Sequence, residues 1–233
     1  MSNSDYSVLI RIFNSEGTLS KTLDCLTLQT VAPSEYIFVD SGSTDKTLDL
    51  LPRGSKVHKY IGEEFNYSIA LNQGIEYVST DYVLIISSHT MLLNCEAISY
   101  AINLLIYEPN IAATYFRGDK STLWHEFVNE ENFNGYNGLS NTCALIKTSL
   151  LRKRHFRPEV FSAEDQEWAS WVITKEKMNI ARIHGAGRCN INPRKYSLRK
   201  RLNEDVAIAY FINRHFLNWK NLSQIVLKVV KPV

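Results

Sequence analysis

Hydrophobic positions in the first ninety residues switch repeatedly between two periods. Residues 6–13, YSVLIRIF, form an almost unbroken apolar run of strand length, whereas residues 17–30, GTLSKTLDCLTLQT, set Leu19, Leu23 and Leu26 at helical spacing. EYIFVD (35–40) reads as a second strand, and STDKTLDLLP as a helix halted by Pro52. KVHKYIG then predicts a short strand, YSIALNQGIEYV a helix and YVLII (82–86) a strand, with CALIK from Cys143 as a later one. The β-α-β-α-β-α-β order predicts an α/β fold with a mostly parallel central sheet flanked by helices. Ligands of such sheets gather beyond the carboxyl ends of the strands. The polar groups in that position are Asn14-Ser15-Glu16, Asp40-Ser41-Gly42-Ser43 and Ser87-Ser88-His89.

Composition narrows this picture. A chain of 233 residues, 45% hydrophobic and 21% charged, suits one compact domain with a small appendage. The amino terminus lacks the basic and apolar pattern of a signal peptide, and no apolar run approaches the roughly 20 residues of a membrane span. A cytoplasmic protein is expected. Cys25, Cys95, Cys143 and Cys189 are scattered without a CxxC pair, which argues for buried free thiols over a zinc site or a disulfide framework. Residues 41–47, SGSTDKT, have neither the three glycines of a dinucleotide fingerprint nor the Gly-Lys pair of a phosphate loop. Dehydrogenases and P-loop NTPases are therefore poor candidates. The loop after the first strand, NSEG, also lacks the glycine-rich, arginine-ending sequence of a sugar nucleotidylyltransferase.

Charge is uneven. From Arg194 onward nine Lys or Arg face two acids, a balance of +7 that leaves −5 for the rest of a chain whose net charge is +2. Such asymmetry suggests a basic tail that meets anions, either a membrane surface or a phosphorylated substrate. In residues 197–231, Val206, Ile208, Tyr210, Phe211 and Ile212 interleave with Arg201 and Arg214, as in an amphipathic helix. Such a helix suits a membrane interface, the rest of the chain, or a second copy in a homodimer. Nucleic acid is not an expected partner.

Four segments in order, SVLIRIFNSEGTLSKTLDCLTLQT, FVDSGSTDKTLDLL, FNYSIALNQGIEYVSTDYVLIISSH and FSAEDQEWASWV, resemble the successive motifs of the inverting family 2 glycosyltransferases with the GT-A fold. The resemblance covers roughly residues 6–200 and is nearest to the bacterial, rhamnosyltransferase-like branch that acts on surface polysaccharides. It implies a GT-A domain over residues 1–195, with a nucleotide-binding half about 1–93 and an acceptor-binding half about 94–195, followed by a basic helical tail, 196–233. It further implies transfer of a hexose or deoxyhexose from a UDP- or dTDP-sugar to a hydroxyl of a saccharide or lipid-linked saccharide, at the inner face of the cell membrane.

Residue by residue, the resemblance puts Arg11 and Phe13 beside the nucleotide base and Asp40 where its carboxylate accepts a base N–H. The bland reading of Asp40 is a polar residue closing a strand before a turn. Asn66 stands where relatives carry an arginine toward the nucleotide. Ser87 and His89 occupy the outer positions of the family's Asp-x-Asp motif, whose carboxylates bind Mn²⁺ or Mg²⁺. A divalent metal is thus implied, with His89 as its ligand, but one imidazole and one hydroxyl bring no negative charge to a hard cation. Arg194, near the family's later histidine pair, is the expected diphosphate ligand in place of some or all of the metal. Asp165 matches the family's general base, with Glu164 and Trp168 as acceptor contacts. Ser162-Ala163-Glu164-Asp165 equally fits a helix start, where acids favour the dipole. In the Asn-, Gly- and aromatic-rich loop after Tyr115, the residues Trp124, His125, Tyr136 and Asn141 are further acceptor candidates. The missing aspartates at 87 and 89 also support a second class, a catalytically weak nucleotide-sugar-binding or assembly module.

Overall fold

A computed structural model describes residues 5–191 and 198–213. Strands β1 (Tyr6–Ile12), β2 (Glu35–Asp40), β3 (Lys56–Lys59) and β4 (Tyr82–Ile86) are joined by helix α1 (Leu19–Thr27), a 3₁₀ turn (Lys46–Leu50) and helix α2 (Tyr67–Ile75). Then come β5 (Thr90–Leu92), α3 (Ala97–Tyr107), β6 (Ile111–Phe116), β7 (Trp124–Val128), β8 (Cys143–Lys147), α4 (Thr148–Lys153) and α5 (Glu164–Thr174). The described part ends with β9 (Asn179–His184), β10 (Arg188–Asn190), α6 (Leu198–Ala207) and a π-helical turn (Ile208–Asn213). Eight strands form one sheet in the order β3-β2-β1-β4-β8-β6-β9-β7, and β5 pairs with β10 in a separate antiparallel ribbon. All strands of the main sheet run one way except β8 and β7, which are antiparallel to their neighbours. The expected mostly parallel sheet is therefore present.

The pleat explains how the layers form. Alternate residues of a strand face opposite sides, so Tyr6, Val8, Ile10 and Ile12 enter a core with α1 and α3. Leu9 enters the opposite core, with Ala70 and Leu71 of α2, Leu151 of α4, and Trp168, Ala169 and Val172 of α5. Gly74 of α2 crosses so close to β1 that an added Cβ would lie 2.3 Å from Leu9. Arg11 shares the pleat face of Leu9 at the carboxyl end of β1, and this carries its guanidinium to the side that α2 and α5 cover. The chain runs from β1 outward through β2 and β3, then returns to place β4 on the other flank of β1. The crevice between the ends of β1 and β4 is therefore the topological switch point where α/β sheets bind ligands.

Two local expectations differ. Residues 43–52 form only a five-residue 3₁₀ turn, because Asp45 caps it by accepting the Thr47 N–H at 3.0 Å, Thr47 is buried, and Pro52 lies just beyond its end. Cys25 and Cys143 are buried free thiols, but Cys95 is exposed and Cys189 half-buried. The first part of the basic tail packs on the domain: Asp205, Ala207, Ile208 and Ala209 are buried, and Phe211 meets Phe161 edge-on at 6.0 Å. Among the described residues no helix is long and apolar enough to cross a membrane.

Candidate active site

The strand tips are tied to one another. After β1, Asn14 adopts a left-handed φ of 45°, a conformation that Asn tolerates better than most residues. Its N–H donates to Ser43 Oγ at 3.0 Å, and its Oδ1 accepts the Thr44 N–H at 2.8 Å. Ser15 Oγ meets Ser88 Oγ at 2.9 Å, which closes β1 onto β4 across the switch point. Asp40 is 7% exposed: Oδ1 accepts from the Ser43 N–H (3.0 Å) and hydroxyl (2.6 Å), while Oδ2 accepts the Gly42 N–H (3.2 Å). Its carboxylate therefore builds the turn after β2. Phe13, 60% exposed, leaves its ring open at the same edge.

Ser87 is half-buried at the end of β4, its N–H donating to the Thr142 carbonyl, and the Thr90 N–H returns to the Ser87 carbonyl to make the turn. His89 is exposed, and its carbonyl accepts the Ile191 N–H where the β5–β10 ribbon begins. The donors at this tip are two serine hydroxyls and one imidazole. Among the described residues no three His, Cys, Asp or Glu side chains converge as metal ligands would. This set does not by itself fit a hard divalent cation, which takes several oxygens, usually carboxylates. Arg194 lies outside the described residues.

Across the cleft, α5 begins with three acidic residues in its first turn, Glu164, Asp165 and Glu167. Ala163 precedes them at φ 58°, a left-handed conformation that costs an alanine roughly 1–2 kcal/mol. Asp165 is deeply set yet keeps part of its surface open. The Asn141 N–H donates to its Oδ2 at 3.1 Å and the Gln166 N–H to its Oδ1 at 2.8 Å. Burial, and then the Glu164 carboxylate, push Asp165 up to about 7; the two N–H donors oppose this, and Glu204 of α6 adds to it. Asn141 is buried, and its Nδ2 reaches Glu164 Oε1 at 3.4 Å. Arg11 lies over the Tyr67 ring at 4.5 Å. Burial lowers its pKa, against the fields of Glu164, Tyr67 and Asp165. The structure thus brings Arg11, Glu164, Asp165 and Asn141 together.

Trp168 must be corrected: it is 0% exposed, packed on Phe156 and Trp171, and its Nε1–H donates to the Arg154 carbonyl at 2.9 Å, so no acceptor reaches it. Asn66 caps α2, with Oδ1 accepting the Ile69 N–H at 3.1 Å and Nδ2 donating to the Pro158 carbonyl at 2.9 Å. Both ends of its amide hold the fold. Trp124 stacks on His184 at 4.0 Å, His125 bonds Tyr100, and the Tyr136 hydroxyl donates to Asp205 at 2.8 Å. Sequence reasoning missed Tyr67 beneath Arg11, although it follows the Asn66 cap directly. It also missed Gln166, whose amide oxygen takes the Gly138 N–H at 2.8 Å and steadies the turn that carries Asn141.

Comparison with known proteins bears on the fold and the family. Poly-beta-1,6-N-acetyl-D-glucosamine synthase of Staphylococcus aureus (strain MSSA476) is 28% identical over 109 residues, 45% of this chain but only 26% of that protein. S. aureus TarS 1-349 superposes with a TM-score of 0.64 at 19% identity, over 93% of this chain and 73% of that one. Glucosyl-3-phosphoglycerate synthase from Mycobacterium tuberculosis, solved with Mn²⁺, UDP-glucose and phosphoglyceric acid, gives a TM-score of 0.68 at 17% identity, over 90% and 79%. The fold is therefore GT-A, and it accommodates a divalent metal in that synthase. Residues 7–157 match the model of glycosyl transferase family 2, and the chain belongs to that family of glycosyltransferases.

Proposed function

We propose that the chain is an inverting glycosyltransferase that moves a hexosyl or deoxyhexosyl group from a UDP- or dTDP-sugar to a hydroxyl of a saccharide or lipid-linked saccharide in bacterial surface-polysaccharide synthesis. The observation that carries this reading is Asp165, a carboxylate in the cleft whose proton affinity is raised to about 7. A base is most effective when its pKa lies near the working pH. In this reading Asp165 takes the proton of the acceptor hydroxyl while that oxygen attacks the anomeric carbon, and the bond from that carbon to the nucleoside diphosphate breaks on the opposite face. Phe13, Asp40 and Ser87 line the donor side, and Glu164 the acceptor side. The polysaccharide context is supported by the poly-N-acetylglucosamine synthase, and a nucleotide-sugar donor by the UDP-glucose complex of the mycobacterial enzyme. The +7 balance from residue 194 onward supports contact with an anionic membrane at the cytoplasmic face.

Asp165→Asn tests the base. Transfer should fall by roughly 10² to 10⁴, with UDP affinity by calorimetry unchanged, and near-normal turnover in this variant would end the assignment. The unusual donors at the β4 tip favour one other reading, a nucleotide-sugar-binding module of low activity. Donor consumption from a panel of nucleotide sugars, with EDTA or with added Mn²⁺, separates the two. Binding of UDP without turnover under either condition would select the module.

A further inference from the structure

Trp124 and His184 are cross-strand partners on β7 and β9, with ring centroids 4.0 Å apart and planes within 8° of parallel. β7 is the last strand of the sheet. The line between the two rings runs from strand to strand, so one face of the indole rests on the imidazole and the other looks outward past the open edge. Trp124 is accordingly 47% exposed. The imidazole beneath it is pinned: Nε2 lies 2.9 Å from Glu126 Oε1, and Nδ1 3.4 Å from Asp119 Oδ1. Asp119 is held in turn by the Gly185 N–H at 2.9 Å and the Ser121 hydroxyl at 2.7 Å, and Glu126 Oε1 by Arg182 Nη1 at 2.8 Å. A chain of hydrogen bonds thus fixes an exposed aromatic ring in one orientation, although so open a ring adds little to the core. Glu126 follows two residues later on the same pleat face. Its side chain is 42% exposed, and among the described residues its Oε2 takes no hydrogen bond.

We propose that Trp124 and Glu126 form a second saccharide subsite, on which an inner pyranose of a growing acceptor chain lies while the end of that chain reaches Asp165. The proposal rests on the reading of the protein as a transferase to saccharides. A pyranose has a C–H face and a rim of hydroxyls, so it meets a flat aromatic ring with the one and an open carboxylate oxygen with the other. The place in the fold suits a chain. His184 ends β9, so Trp124 stands at the same carboxyl edge of the sheet as Ser87 at the end of β4. Four strand steps separate β4 from β7 in the sheet order, a span of roughly 19 Å at the usual strand spacing. That is farther than a disaccharide reaches, so the subsite favours long acceptors over short ones. His184 is a positioning residue here, since it touches the indole and not the sugar.

The test is an array of bacterial surface oligosaccharides, graded from disaccharide to hexasaccharide and probed with the full chain with and without UDP. The wild type should bind hexasaccharides more tightly than disaccharides of the same repeat. Trp124→Ala should weaken hexasaccharide binding roughly 5- to 10-fold, the size of one aromatic stack, with disaccharide binding and UDP affinity unchanged. Trp124→Phe keeps a smaller ring and should lose only roughly 2- to 3-fold. Equal losses on short and long chains, a Trp124→Ala protein that matches the wild type at every length, or a wild type that binds no saccharide on the array would each overturn the proposal. So would a wild-type dimer in sedimentation velocity that Trp124→Ala converts to a monomer with glycan binding unchanged, because a second copy would then cover the outer face of the indole. UDP affinity and donor turnover are separate readouts. A chain that neither binds UDP nor consumes a donor would end the transferase reading, while the dependence on chain length would still decide the subsite.

Discussion

The tips of β1, β2 and β4 and the first turn of α5 face the same cleft but treat their polar groups in opposite ways. At the strand tips Asn14, Ser15, Ser43, Ser88 and Asp40 bond one another, so this edge, the donor side in the proposed function, is a finished scaffold. At α5 two carboxylates stand side by side next to an Asn141 amide oxygen that lacks a partner, and Ala163 holds a left-handed φ without the polar side chain that eases the same conformation at Asn14. Strain and unsatisfied groups of this kind persist only where the surrounding structure holds them, and they concentrate at functional sites. The comparison teaches where the chemistry is kept. In the proposed function the strand tips contribute shape, and the first turn of α5 contributes reactivity.

Trp168 gives the largest further effect because it supports the reactive side from behind. It fills the core under α5, and its indole N–H is bonded. Trp168→Ala should destabilise the fold by about 3–5 kcal/mol in urea unfolding, while Trp168→Phe should leave the acceptor KM unchanged. A raised KM in a stable Trp168→Phe protein would restore the ring as an acceptor contact and blur the contrast between the two sides.

The same residue shows how much of the site was legible. The apolar set Trp168, Ala169, Val172 and Ile173 is a helical stripe readable from spacing alone, and Asp165 shares its face three residues before Trp168, so it is the full burial of the ring under the helix that keeps an acceptor from it. The first four strands, helices α1 and α2, the strand from Cys143 and the acidic start of α5 were legible because periodicity and motif order are local, whereas β6, β7 and β9 and the antiparallel runs of β7 and β8 were not read. Asn66 was misjudged although its position before Tyr-Ser-Ile-Ala is an N-cap signature. Arg11 and Asn141 were named, but that both would turn toward the acids of α5 could not be foreseen. It depends on the pleat face of β1 and on a turn 130 residues further along the chain. Glu204 is likewise not local to Asp165, since it arrives on a helix that packs back over the domain.

Asp40 tests the finished side, with a smaller expected effect. Its carboxylate accepts two N–H groups and a hydroxyl within its own turn. Asp40→Ala should cost about 1.5–3 kcal/mol, the range for hydrogen bonds to a charged group, and Asp40→Asn less. If the carboxylate also takes a base N–H, UDP affinity should fall in Asp40→Asn by more than any change in unfolding midpoint explains. Unchanged affinity in that variant would leave Asp40 a turn residue only.

The last effect, on stability against pH, sharpens the reactive side. A carboxyl raised from 3.8 to about 7 on folding binds more protons in the native than in the unfolded state between those values. Stability must then fall as pH rises through that window and level off above it. The stabilising contribution is complete below pH 4 and gone above about 7. Asp165→Asn removes the titration, so whatever the two melting temperatures are at pH 4, the difference should shift in favour of the variant by pH 8. The transfer rate of the wild type should rise over the same window as the base loses its proton. Parallel melting curves for the two proteins from pH 4 to pH 8 would mean that Asp165 ionises as it would in water, and the acceptor side would then hold no more reactivity than the donor side.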